Sequence, residues 1–128
     1  MDLLHVNVTR SGQDIYTIAP KGAIDSDTYV TLQKKVDAVV KSKPKVIIFD
    51  MQNVDYMSSM GINVILQTRD LMAKAGGSML LINLKPQIKK IFDIIKAIPD
   101  RNIFTSRDEL DRYLASIQRK EISKRKPF

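Results

Sequence analysis

Residues 46–66, VIIFDMQNVDYMSSMGINVIL, contain the pattern that decides the fold class of this chain. The run Val46–Phe49 is continuously apolar and rich in β-branched residues, which is typical of a strand covered on both faces in a parallel sheet. After a predicted loop, Ser58 and Ser59 stand at the start of a predicted helix. The apolar stripe of this helix consists of Ile62, Ile65, Leu66 and Met72. A buried strand that leads into a helix is the repeating unit of an α/β protein.

The same alternation continues toward the C-terminus. Gly76-Gly77 ends the helix, residues 79–82 form a second buried strand, and Pro86 suits the first turn of the next helix. Residues 103–105 form a short strand, and Ser106-Arg107-Asp108-Glu109 matches a capping box for a last helix. The predicted apolar stripes are Ile88, Ile91, Phe92, Ile95 and Ile98 in the third helix, and Leu110, Leu114 and Ile117 in the last.

Toward the N-terminus, the sequence predicts a hairpin and one more helix. Residues 4–8 alternate between apolar and polar side chains, which is the period of a half-buried strand. A turn at residues 11–14 joins this strand to a hairpin partner at residues 15–19. Asp25-Ser26-Asp27 supplies side chains that cap free backbone N–H groups at the start of a helix. The apolar stripe of that helix is Tyr29, Leu32, Val36, Val39 and Val40.

Together these elements predict one small α/β domain. Its central sheet is mostly parallel with right-handed crossovers, the hairpin adds an N-terminal antiparallel edge strand, and there are about four helices. The domain is predicted to cover residues 1–118. Residues 119–128 form a basic C-terminal tail that is predicted to be flexible, because it lacks hydrophobic periodicity.

The composition excludes much of enzyme chemistry. The chain has 128 residues, no cysteine and a single histidine, so it has no thiol nucleophile, no Cys-ligated metal and no pair of metal-binding histidines. It contains neither the Gly-x-x-x-x-Gly-Lys-Ser/Thr phosphate loop nor the Gly-x-Gly-x-x-Gly dinucleotide-binding motif. His5 falls on the polar face of the first predicted strand, as a surface histidine. We therefore predict no enzymatic activity, no catalytic residue, no cofactor and no metal.

Two further groups of residues have a functional and a structural interpretation. Asp25 and Asp27 are able to bind a cation, but helix capping is the commoner use of carboxylates in this position. The methionines are spread over strand, loop and helix, which is typical of core residues rather than of a metal or cofactor site. They are Met51, Met57, Met60, Met72 and Met79.

The net charge of +7 is concentrated at the C-terminal end, where five of the eight residues in 119–126 are basic. Such a segment supplies salt-sensitive attraction to nucleic acid or to a lipid surface. No aromatic residues are interleaved to stack bases, so a solvated tail is the favoured interpretation and no specific nucleic-acid binding is predicted. The chain has neither a run of about 20 apolar residues nor an N-terminal signal pattern. We therefore predict no membrane insertion and a cytoplasmic location.

The serines at the start of the second helix also have two interpretations. A serine in this position is a natural helix N-cap. Alternatively it is a phosphorylation site, because unpaired N–H groups and the positive end of the helix dipole stabilise an added phosphate. Gly61 would allow the backbone to approach a phosphate or a partner closely.

This segment resembles the signature of the STAS domains, the anti-sigma factor antagonist family. Aligned on Gly61, Ser59 takes the phosphoacceptor position and Ser58 the position of an aspartate that many members carry, with Ser58 as the second-choice acceptor. Gly22-Ala23-Ile24-Asp25 is similar to a turn of the family that lies beside the phosphoacceptor loop. The resemblance implies a partner-binding surface made of Asp25, Ser58, Ser59, Met60, Gly61 and Asn63.

The resemblance also implies a function. The unphosphorylated protein would bind an anti-sigma factor or a related serine-kinase regulator, and phosphorylation of Ser59 would release it, with the protein as a monomer or weak homodimer. The sequence departs from the family pattern at Ser58, at the bulky Met60 and at Asn63, where glycine or arginine is common. The alternative is a constitutive STAS subunit of a larger assembly, such as a transport complex, without a phosphorylation cycle.

Overall fold

The structure is a computed structural model that describes residues 3–124, with the backbone alone for residues 117–124. Its strands are β1 (His5–Ser11), β2 (Ile15–Ile24), β3 (Val46–Asp50), β4 (Asn53–Met57), β5 (Ser78–Ile82) and β6 (Ile103–Phe104). Its helices are α1 (Tyr29–Lys41), α2 (Ser59–Lys74), α3 (Pro86–Ile95) and α4 (Arg107–Lys124), with a 3₁₀ turn at Asp100–Asn102. No helix within residues 3–124 has an apolar stretch long enough to cross a bilayer.

The strands form one mixed sheet in the order β1-β2-β3-β5-β6. β1 pairs antiparallel with β2, whereas β2, β3, β5 and β6 pair in parallel. The predicted α/β class, parallel centre and antiparallel edge strand are therefore confirmed. The outer strand is less buried than its alternation predicts, because β1 has a strand on one side only and Val8 is 36% exposed.

β4 corrects the prediction of a loop before Ser58. It pairs in parallel with the second half of β2, from Lys21 opposite Asn53 to Ile24 opposite Met57, and the register shifts within this stretch, between Gly22 and Ala23. Asparagine and aspartate are depleted in strands, so the sequence of this segment by itself predicts a loop. The ten-residue β2 pairs with both β3 and β4. The sequence of residues 53–57 gives no indication of this pairing.

The two faces of the sheet carry separate apolar clusters. Helices α1, α2 and α3 cover one face, where Ile65, Phe49 and Phe92 are buried. Helix α4 covers the other face, where Leu110 packs with Ile48 and neighbouring residues. Because side chains alternate along a strand, Ile48 and Phe49 belong to opposite clusters. The central strands are therefore buried on both sides, as their continuous apolar sequence predicts.

The third helix ends earlier than predicted. Lys96 adopts a left-handed backbone conformation with φ 55°, and its N–H donates to the carbonyl of Phe92. Ile98, predicted as part of the helical stripe, lies in the following loop and is nevertheless 4% exposed. The residue before a proline is disfavoured in a helix, and Pro99 follows directly.

The last helix begins at the predicted capping box. The N–H of Glu109 donates to Ser106 Oγ at 3.2 Å, and the Glu109 carboxylate accepts from the N–H of Thr105 at 3.1 Å rather than from that of Ser106. The backbone of α4 continues to Lys124, six residues beyond the predicted domain boundary at residue 118. The side chain of Ile117 and the last part of the predicted tail, residues 125–128, lie outside the described residues.

Candidate functional site

The segment before α2 is fixed to the end of β2. The N–H of Ser58 donates to the carbonyl of Ile24 at 2.8 Å, which continues the parallel pairing of Met57 with Ile24. Asp25 follows Ile24 directly. The structure thus brings the Gly22–Asp25 and Ser58–Gly61 segments together, although more than thirty residues separate them in the sequence. The first segment was predicted as a turn, but Gly22–Ile24 form the end of strand β2.

Gly61 allows the first turn of α2 to lie against β2. A Cβ atom added at this position would stand 2.6 Å from Ile24 Cγ2 and 3.3 Å from the carbonyl oxygen of Ile24. Both contacts are shorter than a side chain tolerates without displacement of its neighbours. The glycine therefore sets how closely the start of α2 approaches Ile24 at the end of β2.

Ser58 occupies the N-cap position of α2 but makes no cap hydrogen bond through its side chain. Its Oγ is buried and has no hydrogen-bond partner among the described residues. The predicted N-cap position is confirmed, whereas the hydrogen bond expected from a capping serine is not formed. Ser58 acts on the helix through its backbone instead, since its carbonyl accepts the N–H of Ile62 at 3.0 Å.

Ser59 is the first residue of α2 and is exposed. Met60 is 36% exposed and Asn63 is exposed on the next turn. We call Asp25, Ser59, Met60 and Asn63 the α2 surface. The prediction that Met60 is a core residue is wrong, because its position in the first turn of α2 points away from the apolar stripe, whereas Met51, Met57, Met72 and Met79 are buried. Ile65 is buried and Ile62 is half-buried against the core, as predicted.

Asp25 caps the turn that leads into α1. Its Oδ1 accepts from the N–H of Asp27 and from the N–H of Thr28, each at 2.9 Å, and Thr28 Oγ1 accepts from the N–H of Asp25 at 2.9 Å. This reciprocal pair is the arrangement of a capping box. It caps the turn at residues 25–28 and not the helix itself, because α1 begins at Tyr29 with Thr28 as its N-cap and without a side-chain cap hydrogen bond. Asp27 contributes only its backbone N–H. The bond from the N–H of Thr28, followed by that from Asp27, lowers the pKa of the Asp25 carboxyl below its ordinary value. In the described part of the chain, no group of three or more metal-binding side chains lies together.

Sequence reasoning missed an aromatic side chain next to this surface. Tyr56 on β4 is 55% exposed and is placed three residues before Ser59. The adjacent Asp55 forms an ion pair with Lys85, which ties the start of α3 to β4. The sequence of β4 gives only a weak signal for Tyr56, because two apolar residues, Val54 and Met57, stand among polar neighbours and do not alternate with them.

The start of α2 is chemically suited to a negative group. The sixteen-residue helix has no acidic side chain in its first turn, so no carboxylate on this turn offsets the positive end of the helix dipole. Of the two adjacent serines, Ser59 is an exposed residue, whereas the Oγ of Ser58 is buried. Ser59 is therefore the more accessible serine at the start of the helix.

Comparison with known proteins agrees with this architecture. The family model for the STAS domain matches residues 7–110. BtrV of Bordetella bronchiseptica, a protein named as an anti-sigma factor antagonist, is 27% identical over 74 residues, which is 58% of this chain and 64% of BtrV. The match thus spans less than two thirds of the length of that relative.

Two solved structures show the same fold. The unphosphorylated form of SpoIIAA, an anti-sigma factor antagonist of Bacillus, has a TM-score of 0.69 at 19% identity, covering 85% of this chain and 97% of SpoIIAA. The murine anion transporter Slc26a9 has a TM-score of 0.67 at 14% identity, covering 91% of this chain and 22% of the transporter. The family match extends over most of the described residues, and this chain belongs to the STAS domain family.

Proposed function

We propose that this protein is a regulatory binding module of the anti-sigma factor antagonist type. In its unphosphorylated form it binds an anti-sigma factor or a related serine-kinase regulator through the α2 surface. Phosphorylation of Ser59 by that kinase ends the interaction. The protein is a substrate of the kinase and not an enzyme itself, and it acts in the cytoplasm as a monomer or weak homodimer.

One observation carries the assignment of the acceptor. Of the two adjacent serines, Ser59 is exposed at the first position of α2, whereas Ser58 Oγ is buried. A kinase must bring the γ-phosphate of ATP into line with the attacking hydroxyl, and Ser59 meets this requirement without a rearrangement. Ser59 is therefore our first choice of acceptor, and Ser58 remains the second.

A phosphate on Ser59 acts as a switch for electrostatic reasons. It adds a charge of about −1.5 to −2 at neutral pH, next to the ionised Asp25 carboxylate. A partner that covers the neutral hydroxyl would then enclose an unpaired dianion, and burial of such a charge costs several kcal/mol. Two relatives support this proposal by name, since BtrV is named as an antagonist and SpoIIAA is known in a phosphorylated form.

The test compares four full-length baits in affinity capture from the native lysate: wild type, Ser59→Ala, Ser59→Asp and Thr9→Asp. Thr9 is an exposed residue with a hydroxyl on the outer strand β1 and provides a matched control for the added charge. We expect wild type, Ser59→Ala and Thr9→Asp to capture the same serine-kinase regulator, and Ser59→Asp to lose it. Equal capture by Ser59→Asp would contradict the switch.

Site mapping tests the acceptor separately. After incubation with the captured kinase and ATP, we expect one phosphate on Ser59 in wild type and in Ser58→Ala, and none in Ser59→Ala, as measured by mass spectrometry of peptides. A phosphate that persists in Ser59→Ala and disappears in Ser58→Ala would assign the reaction to Ser58 instead.

The second candidate is a constitutive STAS subunit of a larger assembly. Met60 favours it, because this bulky side chain is 36% exposed directly beside Ser59 and narrows the approach of a kinase. The fold also occurs in a transporter, as the likeness to Slc26a9 shows. This alternative predicts a stable complex that withstands phosphatase treatment and is captured equally by Ser59→Ala and Ser59→Asp.

A further inference from the structure

We propose that a groove at the opposite end of α2 binds an acidic amphipathic helix of a partner protein. This groove, which we call the basal groove, lies between the β1–β2 turn, the loop before β3 and the loop before β5. Its volume is about 1100 Å³. Since α2 has sixteen residues, the groove lies about 24 Å from Ser59 along the helix axis. The inference goes beyond the proposed function, because it concerns a second surface.

The floor of the groove is apolar. Val40, Pro44, Met72 and Leu114 contribute to it from three helices and a loop. Leu71 also lines the groove and is 48% exposed. An exposed large apolar side chain within a concave apolar surface indicates a binding site more strongly than an isolated one on a convex surface does.

The rim of the groove is basic. Lys43 and Lys45 line it and are exposed, and Lys41 and Lys74 stand beside it in the last turns of α1 and α2. Cations in a last turn are stabilised by the helix dipole, which accounts for Lys41 and Lys74 without a ligand. Lys45 comes three residues after the C-cap Ser42, so this explanation does not extend to it.

These charges are not neutralised within the described part of the domain. None of the four lysines takes part in an ion pair there. The carboxylate that lines the groove is Asp14, whose backbone carbonyl accepts the N–H groups of Lys45 and Val46 at 2.8 and 3.1 Å. Of the charged residues that line the groove, Asp14 is acidic and Lys43 and Lys45 are basic, which leaves the rim complementary to an acidic partner.

The shape of the groove fits a helical segment better than other acidic ligands. Its volume of about 1100 Å³ lies slightly above the range for small-molecule pockets, about 300–1,000 Å³. Its concave, open form suits a rod, whereas a bilayer presents a flat surface to a protein. A helix with its side chains is about 10–12 Å wide, and helix-in-groove recognition places an apolar stripe on the floor and polar residues at the rim.

The experiment uses the full-length protein and a fluorescein-labelled synthetic peptide of about four helical turns, with a leucine stripe flanked by glutamates. We expect fluorescence anisotropy to show saturable binding that weakens as salt is added. Leu71→Asp and Lys45→Glu should each weaken binding about tenfold or more. Circular dichroism verifies that both variants fold, since both side chains are exposed.

Two controls make the result specific. Ile94→Asp adds the same charge at an apolar residue of α3 that is 75% exposed and outside the groove, and it should bind the peptide like wild type. Ser59→Asp should also bind like wild type, because the α2 surface lies at the other end of the helix. If the proposed switch at Ser59 failed its test, peptide binding at the basal groove would therefore be unaffected. If the peptide did not bind, the test of the switch would equally be unaffected.

Four outcomes would overturn the proposal. They are the absence of binding, equal binding of a peptide with lysine in place of glutamate, Leu71-dependent cosedimentation with phosphatidylglycerol vesicles in place of peptide binding, and Leu71-dependent self-association in sedimentation velocity. The third outcome would assign the groove to a lipid surface, and the fourth to a second copy of this chain.

Discussion

At the scale of single residues, the start of α2 is shaped by contacts with Ile24. Its carbonyl accepts the N–H of Ser58, and its side chain fills the space where Gly61 lacks a Cβ. These contacts hold Ser59 and Asp25 on neighbouring segments. The position of Ser59, the proposed phosphoacceptor, thus depends on a residue of β2 that carries no functional group of its own.

Gly61→Ala is expected to lower the free energy of unfolding by about 1–3 kcal/mol, the usual cost of overpacking a dense site. This loss should exceed the gain of up to about 1 kcal/mol that alanine brings to a helix. Urea denaturation followed by circular dichroism measures the difference. Asn63→Ala, on the exposed side of the same helix, is the control and should change stability by less than about 0.5 kcal/mol. A Gly61→Ala variant as stable as the control would show that α2 does not need this close approach.

At the scale of secondary-structure elements, the first turn of α4 is stabilised by Glu109. Its carboxylate accepts from the hydroxyl and from the N–H of Thr105. The hydroxyl first, and the N–H next, lower the pKa of Glu109 below its ordinary value of 4.5. A carboxyl whose pKa is depressed by folding stabilises the folded state above its ordinary pKa, and this contribution is lost as the pH falls through the folded value.

Glu109→Gln is therefore expected to be less stable than wild type at neutral pH. The difference in unfolding free energy should shrink as the pH falls below about 4.5, the ordinary value for this carboxyl. Urea denaturation at a series of pH values measures it. Asp108→Asn removes a charge from the same turn without touching Thr105. An equal, equally pH-dependent loss in Asp108→Asn would assign the effect to the helix dipole rather than to the contacts with Thr105.

At the scale of the whole molecule, one sheet carries two apolar clusters that share strands β3 and β5. Ile48 and Leu80 face α4, whereas Phe49 and Leu81 face the other three helices. Because each central strand contributes side chains to both clusters, unfolding of the elements on one face also removes packing contacts from the other face. The domain is therefore expected to unfold as one cooperative unit.

Ile48→Val and Ile65→Val test this cooperativity from the two faces, since both side chains are fully buried. Each should lower the free energy of unfolding by about 0.5–1.5 kcal/mol with an unchanged denaturant slope. Hydrogen exchange measured by mass spectrometry should show that the most protected amides of α2 and α4 exchange through the same global unfolding reaction in both variants. If Ile48→Val increased exchange in α4 while α2 kept its wild-type protection, α4 would be an independent unit.

The sequence by itself determined the fold class and the family. The apolar run Val46–Phe49 and the helical periodicities required an α/β domain, and the Gly22–Asp25 and Ser58–Gly61 segments were sufficient to identify a STAS domain. The capping role of Asp25 was also readable, because a cap depends on residues two and three positions ahead. These features share one physical property, since each is set by neighbours that are close along the chain.

Only the tertiary structure decided the features that depend on distant neighbours. Residues 53–57 are a strand because β2 is long enough to pair with them, and Ser58 Oγ is buried because α2 packs against Ile24. Leu71 is exposed in the basal groove although it lies within an apolar helix. The pairing of β4 and the burial of Ser58 Oγ depend on contacts between elements that are far apart in the chain, and the local pattern of side chains does not specify those contacts.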